Sequence, residues 1–155
     1  MTNLCCDVLA VLKGKTLATA ESCTGGGIGA ALTSISGCSS VYKGGIVSYC
    51  NEIKHRILGV DESILETMGA VSAEVAEAMA LGAKQLLQTD VAVSVTGLAG
   101  PGGDAFGNCV GTVYIGYADD RISVAKHFVF DGDREAVRQQ AIAAALQLIL
   151  KFHMK

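Results

Sequence analysis

Short apolar runs alternate along the chain with stretches of helical period, and this order restricts the fold more than any single residue does. Asn3 is placed to cap a first helix with Leu4, Val8, Val11 and Leu12 on one face, ended by Gly14. Lys15 to Ala20 reads as strand one. A glycine-rich turn and a second helix follow to about Ile35, and Ser36 to Ser40 reads as loop. Gly45 to Cys50 reads as strand two, after which Asn51 caps a helix closed by Gly59. Asp61 to Met68 reads as a short helix ending at Gly69. Ser72 caps a longer one whose buried face carries Val75, Met79, Ala83 and Leu86. Val91, Val93 and Val95 mark strand three, and Gly97 to Gly107 is a loop holding five glycines and the only proline. Asp119-Asp120 turns Val110–Ala118 into Ile122–Phe130, so strands four and five are expected to be antiparallel. Asp133 caps a last helix with the stripe Val137, Ala141, Ala144 and Leu148. The expected fold is a three-layer α/β/α sandwich around a mixed five-stranded sheet.

With 155 residues, half of them hydrophobic, the chain suffices for one domain, 1–155, with a sizeable core. A net charge of -3 and the lack of any Lys/Arg cluster argue against nucleic acid as a partner. The apolar run from Ala141 to Leu150 is too short to span a bilayer, and Met1-Thr2-Asn3 does not open like a signal peptide. A cytoplasmic protein with no membrane partner is expected. The six cysteines form no C-x-x-C pair and the three histidines are scattered, so neither a metal site nor a disulfide framework is expected.

Thr19 to Gly27 is the stretch richest in chemistry. It joins a strand to a helix through Glu21-Ser22-Cys23-Thr24-Gly25-Gly26. A hydroxyl-rich turn at a helix start gathers side chains and free N–H groups at one point. Ser22 is the candidate nucleophile, with N–H groups near Thr24, Gly25 and Gly26 as candidate oxyanion donors. The plainer reading is that Ser22 or Thr24 only caps the helix. Cys23 reads as a packing residue.

A serine needs a base. None of the histidines sits well for a Ser-His-Asp triad: His55 follows Lys54 on a helix, His127 lies within a strand, and His153 is near the C-terminus. Lysine serves when burial keeps its amine neutral, and Lys54 is placed for that role, with Tyr49 to relay a proton or orient it. The alternatives are a solvated helix lysine and an ordinary strand aromatic. Gly25 stands where an S-x-x-K motif would need lysine, and the turn spells neither a Walker loop nor a dinucleotide fingerprint. Turns leaving three strands in an open α/β sheet gather at one edge, which would bring Ser22, Tyr49 and Lys54 together. Thr96 to Gly103 is a second glycine-rich stretch, where Gly97 and Gly100 permit close backbone contact with a ligand. Arg134 and Arg138 start the last helix and suit either a phosphate or a solvated face.

Together these stretches resemble the C-terminal domain of the competence-damage-inducible protein A family. The matching segments are Thr19–Gly26, Tyr42–Lys54, Gly69–Val75, Thr96–Gly103, Val110–Val113 and Gly132–Arg134, in family order over nearly the whole chain. Cys50 departs from the family's usual serine, and Ile53 from its frequent alanine. The resemblance implies the sandwich fold already read from the pattern. It implies hydrolysis of nicotinamide mononucleotide to nicotinate mononucleotide and ammonia without metal or cofactor. In that reaction Ser22 matches the nucleophile, and Lys54 and Tyr49 match the other catalytic positions. It also implies a homo-oligomer, a dimer being the form expected. The competing reading is a non-catalytic nucleotide-binding module of the same fold, in which Lys54 stays charged; a third is an interaction domain without a ligand.

Overall fold

In the computed structural model, which describes residues 1–154, the alternation closes into one sheet. Its strands are β1 (Leu17–Glu21), β2 (Tyr42–Val47), β3 (Val91–Gly97), β4 (Thr112–Ala118) and β5 (Ser123–Val129), in the order β2-β1-β3-β4-β5. β1 runs parallel to β2 on one side and to β3 on the other, while β4 and β5 add antiparallel. The helices are α1 (Thr2–Val11), α2 (Gly27–Thr33), α3 (Asn51–Arg56), α4 (Glu62–Met68), α5 (Ala73–Leu87) and α6 (Arg134–His153). The three-layer sandwich with a mixed five-stranded sheet is therefore the observed fold. No helix of the described residues is long and apolar enough to cross a membrane.

Period-two alternation divides the strands between two cores. Leu17, Val91, Val93, Val95, Val113, Ile115 and Tyr117 face α1, α2 and α6. Ala18, Ala20 and Ala92 face the other way, onto Val75, Met79 and Ala83 of α5. Small residues on that second face let α5 approach closely. A Cβ on Gly116 would collide with the Ala76 carbonyl oxygen, to which the Ser94 hydroxyl donates.

Several element ends differ from the sequence expectation. Strand two is Tyr42–Val47, not Gly45–Cys50, because its parallel register with β1 ends at Glu21↔Val47. Ser48 to Cys50 thereby leave the sheet, and Tyr49 is no strand aromatic. Cys50, not Asn51, is the N-cap of α3, since the Lys54 N–H donates to the Cys50 carbonyl. Met1, not Asn3, precedes the first turn of α1. Leu86 is 53% exposed, because the last turn of α5 runs out over β2, where Leu87 meets Gly44. The expected caps Asp61, Ser72 and Asp133 do accept from the N–H groups of Ser63, Val75 and Ala136.

The topology positions a site. From β1 the chain passes through α2 to β2 on one side, and from β2 through α3, α4 and α5 to β3 on the other. Connections that diverge in this way leave a crevice at the carboxyl ends of the parallel strands.

Candidate active site

Glu21, the last residue of β1, organises the turn. It is 2% exposed, and its carboxylate accepts from the Thr24 hydroxyl at 2.6 Å and from the N–H groups of Ile28 and Gly29 at 2.9 and 3.1 Å. A carboxylate at a helix N-terminus satisfies orphan donors and is favoured by the helix dipole. Neither Ser22 nor Thr24 caps α2; the N-cap is Gly26, in the left-handed region at φ 95°, which leaves the capping to Glu21. The Ser22 side chain is therefore free for other work. Sequence reasoning missed Glu21, although a signal was present. It is an acid at a strand end directly before a glycine-rich helix start, where a carboxylate can take the free N–H groups.

Lys54 meets Ser22 across the crevice. The amine, on a side chain 1% exposed, donates to Ser22 Oγ at 3.0 Å and to the Ser48 carbonyl at 2.7 Å. Two neighbouring elements fix this geometry: the Ser48 N–H donates to the Glu21 carbonyl, and α3 starts three residues beyond Ser48. Burial pushes the Lys54 amine down to about 8, with the nearby Cys50 and Cys23 thiols opposing the shift. A solvated helix lysine is thus not what the fold produces. Cys23, beside Ser22 and 6% exposed, has its thiol pushed up to about 11 by burial. At neutral pH it is a protonated packing residue.

Ser22, Cys23, Tyr49, Lys54, Thr96, Gly97, Gly100 and Arg134 share one cleft of about 360 Å³, within the size range of small-ligand pockets. Lys54 and Arg134 supply its positive charge, and among the described residues lining it none is acidic. Arg134, the first residue of α6, donates to the Gly100 carbonyl at 2.7 Å and to the Tyr49 hydroxyl at 2.8 Å. Tyr49 is 61% exposed, at the cleft mouth, and this bond ties it to Arg134 rather than to Lys54.

Four other expected site residues, Thr24, Gly25, Gly26 and Arg138, lie outside the cleft lining. The Gly25 N–H donates to the Ser22 carbonyl at 3.0 Å, closing a turn, so it is not free to receive an oxyanion. Gly26 begins α2 and packs toward Val47. Arg138 donates to the carbonyls of Cys23 and Thr24, at 3.0 and 3.3 Å. Thr24 is fully buried, its hydroxyl on Glu21. Of the histidines none lines the cleft: His55 bonds the Val60 carbonyl, and His127 stacks on Tyr114.

A buried serine–lysine contact in a cleft at the carboxyl edge of the parallel strands is a small-molecule site of enzymatic type. The chain belongs to the CinA C-terminal domain family, whose family model matches residues 3–153. It is 50% identical over 145 residues to the nicotinamide-nucleotide amidohydrolase PncC of Enterobacter agglomerans, covering 92% of this chain and 88% of that one. A CinA-like protein of Rippkaea orientalis is 49% identical over 86% of this chain, which spans only 33% of that longer relative. Among solved structures, a competence or damage-inducible protein from Enterobacter asburiae superposes with a TM-score of 0.95 at 32% identity, covering 98% of this chain and 97% of that one. CihA from Agrobacterium tumefaciens gives 0.91 at 36%, covering 99% and 95%.

Proposed function

We propose that this chain is an amidase that hydrolyses the carboxamide of nicotinamide mononucleotide to nicotinate mononucleotide and ammonia, using Ser22 and Lys54. The observation that carries the reading is the 3.0 Å contact between Lys54 Nζ and Ser22 Oγ, made by an amine that burial holds at about 8. The 50% identity to an amidohydrolase of nicotinamide nucleotides over most of both chains supports the substrate class.

In this reading Ser22 Oγ attacks the carboxamide carbon as its proton passes to neutral Lys54. The carbonyl electrons move onto the oxygen, where N–H groups of the Ser22–Thr24 turn stabilise them. Collapse breaks the C–N bond, and the Lys54 ammonium returns the proton to the leaving nitrogen, releasing ammonia. Water, deprotonated by the same amine, then cleaves the acyl-serine. Tyr49 assists proton transfer at the cleft mouth. Arg134 holds the phosphate; Gly97 and Gly100 let the β3–β4 loop approach the nucleotide closely. No metal or cofactor has a step in this scheme.

Ammonia release from nicotinamide mononucleotide by purified protein is the direct test. Thermal stabilisation by the nucleotide without turnover would support a binding module instead. The phosphate role makes its own prediction. Nicotinamide riboside is expected to have a kcat/KM about tenfold to a hundredfold below the mononucleotide, the worth of one charge-assisted contact. Arg134→Ala should erase most of that preference. Equal efficiency on both substrates in the wild type removes Arg134 from phosphate binding.

A further inference from the structure

The turn that carries Ser22 is gripped by Arg138, which is not among the residues lining the cleft. Arg138 Nε donates to the Cys23 carbonyl at 3.0 Å and its Nη2 to the Thr24 carbonyl at 3.3 Å, while Nη1 pairs with Glu135 at 3.1 Å. Ser22 and Cys23 line the cleft, whereas Arg138 and Thr24 do not. In a planar trans peptide the C=O and N–H oppose each other. The Thr24 N–H shares a plane with the Cys23 carbonyl, so it points away from the Arg138 guanidinium. The preceding unit is set in the same way. The Ser22 carbonyl accepts from the Gly25 N–H at 3.0 Å, which turns the Cys23 N–H the other way. Among the described residues no backbone acceptor takes either N–H, and the Cys23 N–H has only its own thiol beside it, although Cys23 and Thr24 are both buried. Buried backbone donors are rarely left in that state without a purpose.

We propose that Arg138 is a positioning residue: its guanidinium orients and polarises the Cys23–Thr24 turn so that the N–H groups of Cys23 and Thr24 receive the charge that develops on the substrate oxygen. The assignment rests on the Ser22 amidase reading above. A guanidinium fork presents donors on separate nitrogens in one rigid plane to two adjacent carbonyls, a geometry that the single nitrogen of an ammonium does not reproduce. A cation on a peptide oxygen also strengthens the N–H of the same unit as a donor. Thr24 is held at both ends, by Arg138 on its carbonyl and by Glu21 on its hydroxyl, so the donors cannot swing as the tetrahedral centre forms. α6 thereby contributes twice to the site, through Arg134 in the cleft lining and through Arg138 on the carbonyls of the turn.

The test compares wild type, Arg138→Ala and Arg138→Lys, with Glu135→Gln as control. One readout is kcat and KM for ammonia release from nicotinamide mononucleotide. The other is the rate at which a small fluorophosphonate modifies Ser22, followed by intact mass. In that reaction the Oγ–P bond forms, the P–F bond breaks, fluoride leaves and the serine proton goes to Lys54. Arg138→Ala is expected to lower kcat and the labelling rate about 10- to 100-fold with KM within about threefold. Millimolar guanidinium should restore part of both, which a purely structural loss would not show. Arg138→Lys should fall between, and Glu135→Gln should stay within about twofold of wild type. A folded Arg138→Ala with wild-type kcat and labelling, changed only in Tm, overturns the proposal. If Arg138→Ala does not fold, wild-type rates in Arg138→Lys overturn it equally. A wild type that neither releases ammonia nor labels at Ser22 defeats the amidase reading, and the Arg138 role with it. A wild type that does both while the variants match it defeats the Arg138 role alone.

Discussion

Ser22→Ala is expected to lower ammonia release from nicotinamide mononucleotide by at least about 10⁴-fold, the usual cost of removing a serine nucleophile. The loss should lie in kcat, because the cleft and its Arg134 remain. It should not lie in folding. Ser22 is 7% exposed and accepts one hydrogen bond from Lys54, so its removal should change stability by no more than about 1.5 kcal/mol. The neighbouring thiol supplies the control. Cys23 is buried and its thiol is pushed up to about 11, so at neutral pH the thiolate is scarce. Cys23→Ala keeps the backbone N–H at that position and should retain most of the activity. The measurement is steady-state ammonia release by both variants beside wild type, with circular dichroism to confirm folding. An inactive Cys23→Ala with an active Ser22→Ala would make the protein a cysteine amidase and reverse the assignment.

Lys54→Arg should be as inactive as Lys54→Met. With its amine at about 8, roughly one Lys54 in ten is neutral at pH 7; an ordinary lysine near 10.4 would offer only about one in a few thousand. Arginine offers none, whatever its position. In the wild type kcat/KM should rise with pH through about 8 and then level, as the amine loses its proton. The same shift has a stability consequence whose sign follows from linkage. The depressed amine makes the unfolded chain bind more protons than the folded one between about pH 8 and pH 10.5. Burying Lys54 therefore costs stability in full below that window, and the cost fades as pH rises through it. The scale is roughly 3 kcal/mol. Lys54→Met fills the same space without a charge, though it leaves the Ser48 carbonyl without its donor. Relative to Lys54→Met, the wild type should gain stability between neutral pH and pH ~10.5, by urea unfolding. A substantially active arginine variant, with the wild-type pH profile, would sink the Ser–Lys mechanism and leave Lys54 as an electrostatic residue.

The alternation of apolar runs and helical stretches determined the element order, the antiparallel end of the sheet and most of the helix caps. It did so because period and capping are local: Asp61, Ser72 and Asp133 each satisfy an N–H two or three residues away. The boundaries of β2 were not legible, since they are set by partners in β1 some 25 residues distant. Leu86 illustrates the same limit. Its helical phase agrees with Met79 and Ala83, but the path of α5 over β2 exposes it.

In the site, the sequence singled out Ser22, Lys54, Tyr49 and the two glycine-rich turns as candidates, each with a plainer reading beside it, and the family resemblance favoured the catalytic one. What the tertiary structure decided was which of them act on one another. Burial of Lys54 against Ser22 needs the crevice between β1 and β2, and its lowered proton affinity follows from that burial alone. The two arginines of α6 look equivalent in sequence, four residues apart on one helix. The packing of α6 against the Ser22 turn puts Arg134 in the cleft lining and Arg138 on the carbonyls of the turn itself. Glu21 shows the distinction most sharply. In the sequence it is one acid at a strand end; in the fold it is a buried carboxylate whose three donors lie three, seven and eight residues further on. A buried charge of that kind is tolerated only when its partners arrive together, and only the folded chain brings them.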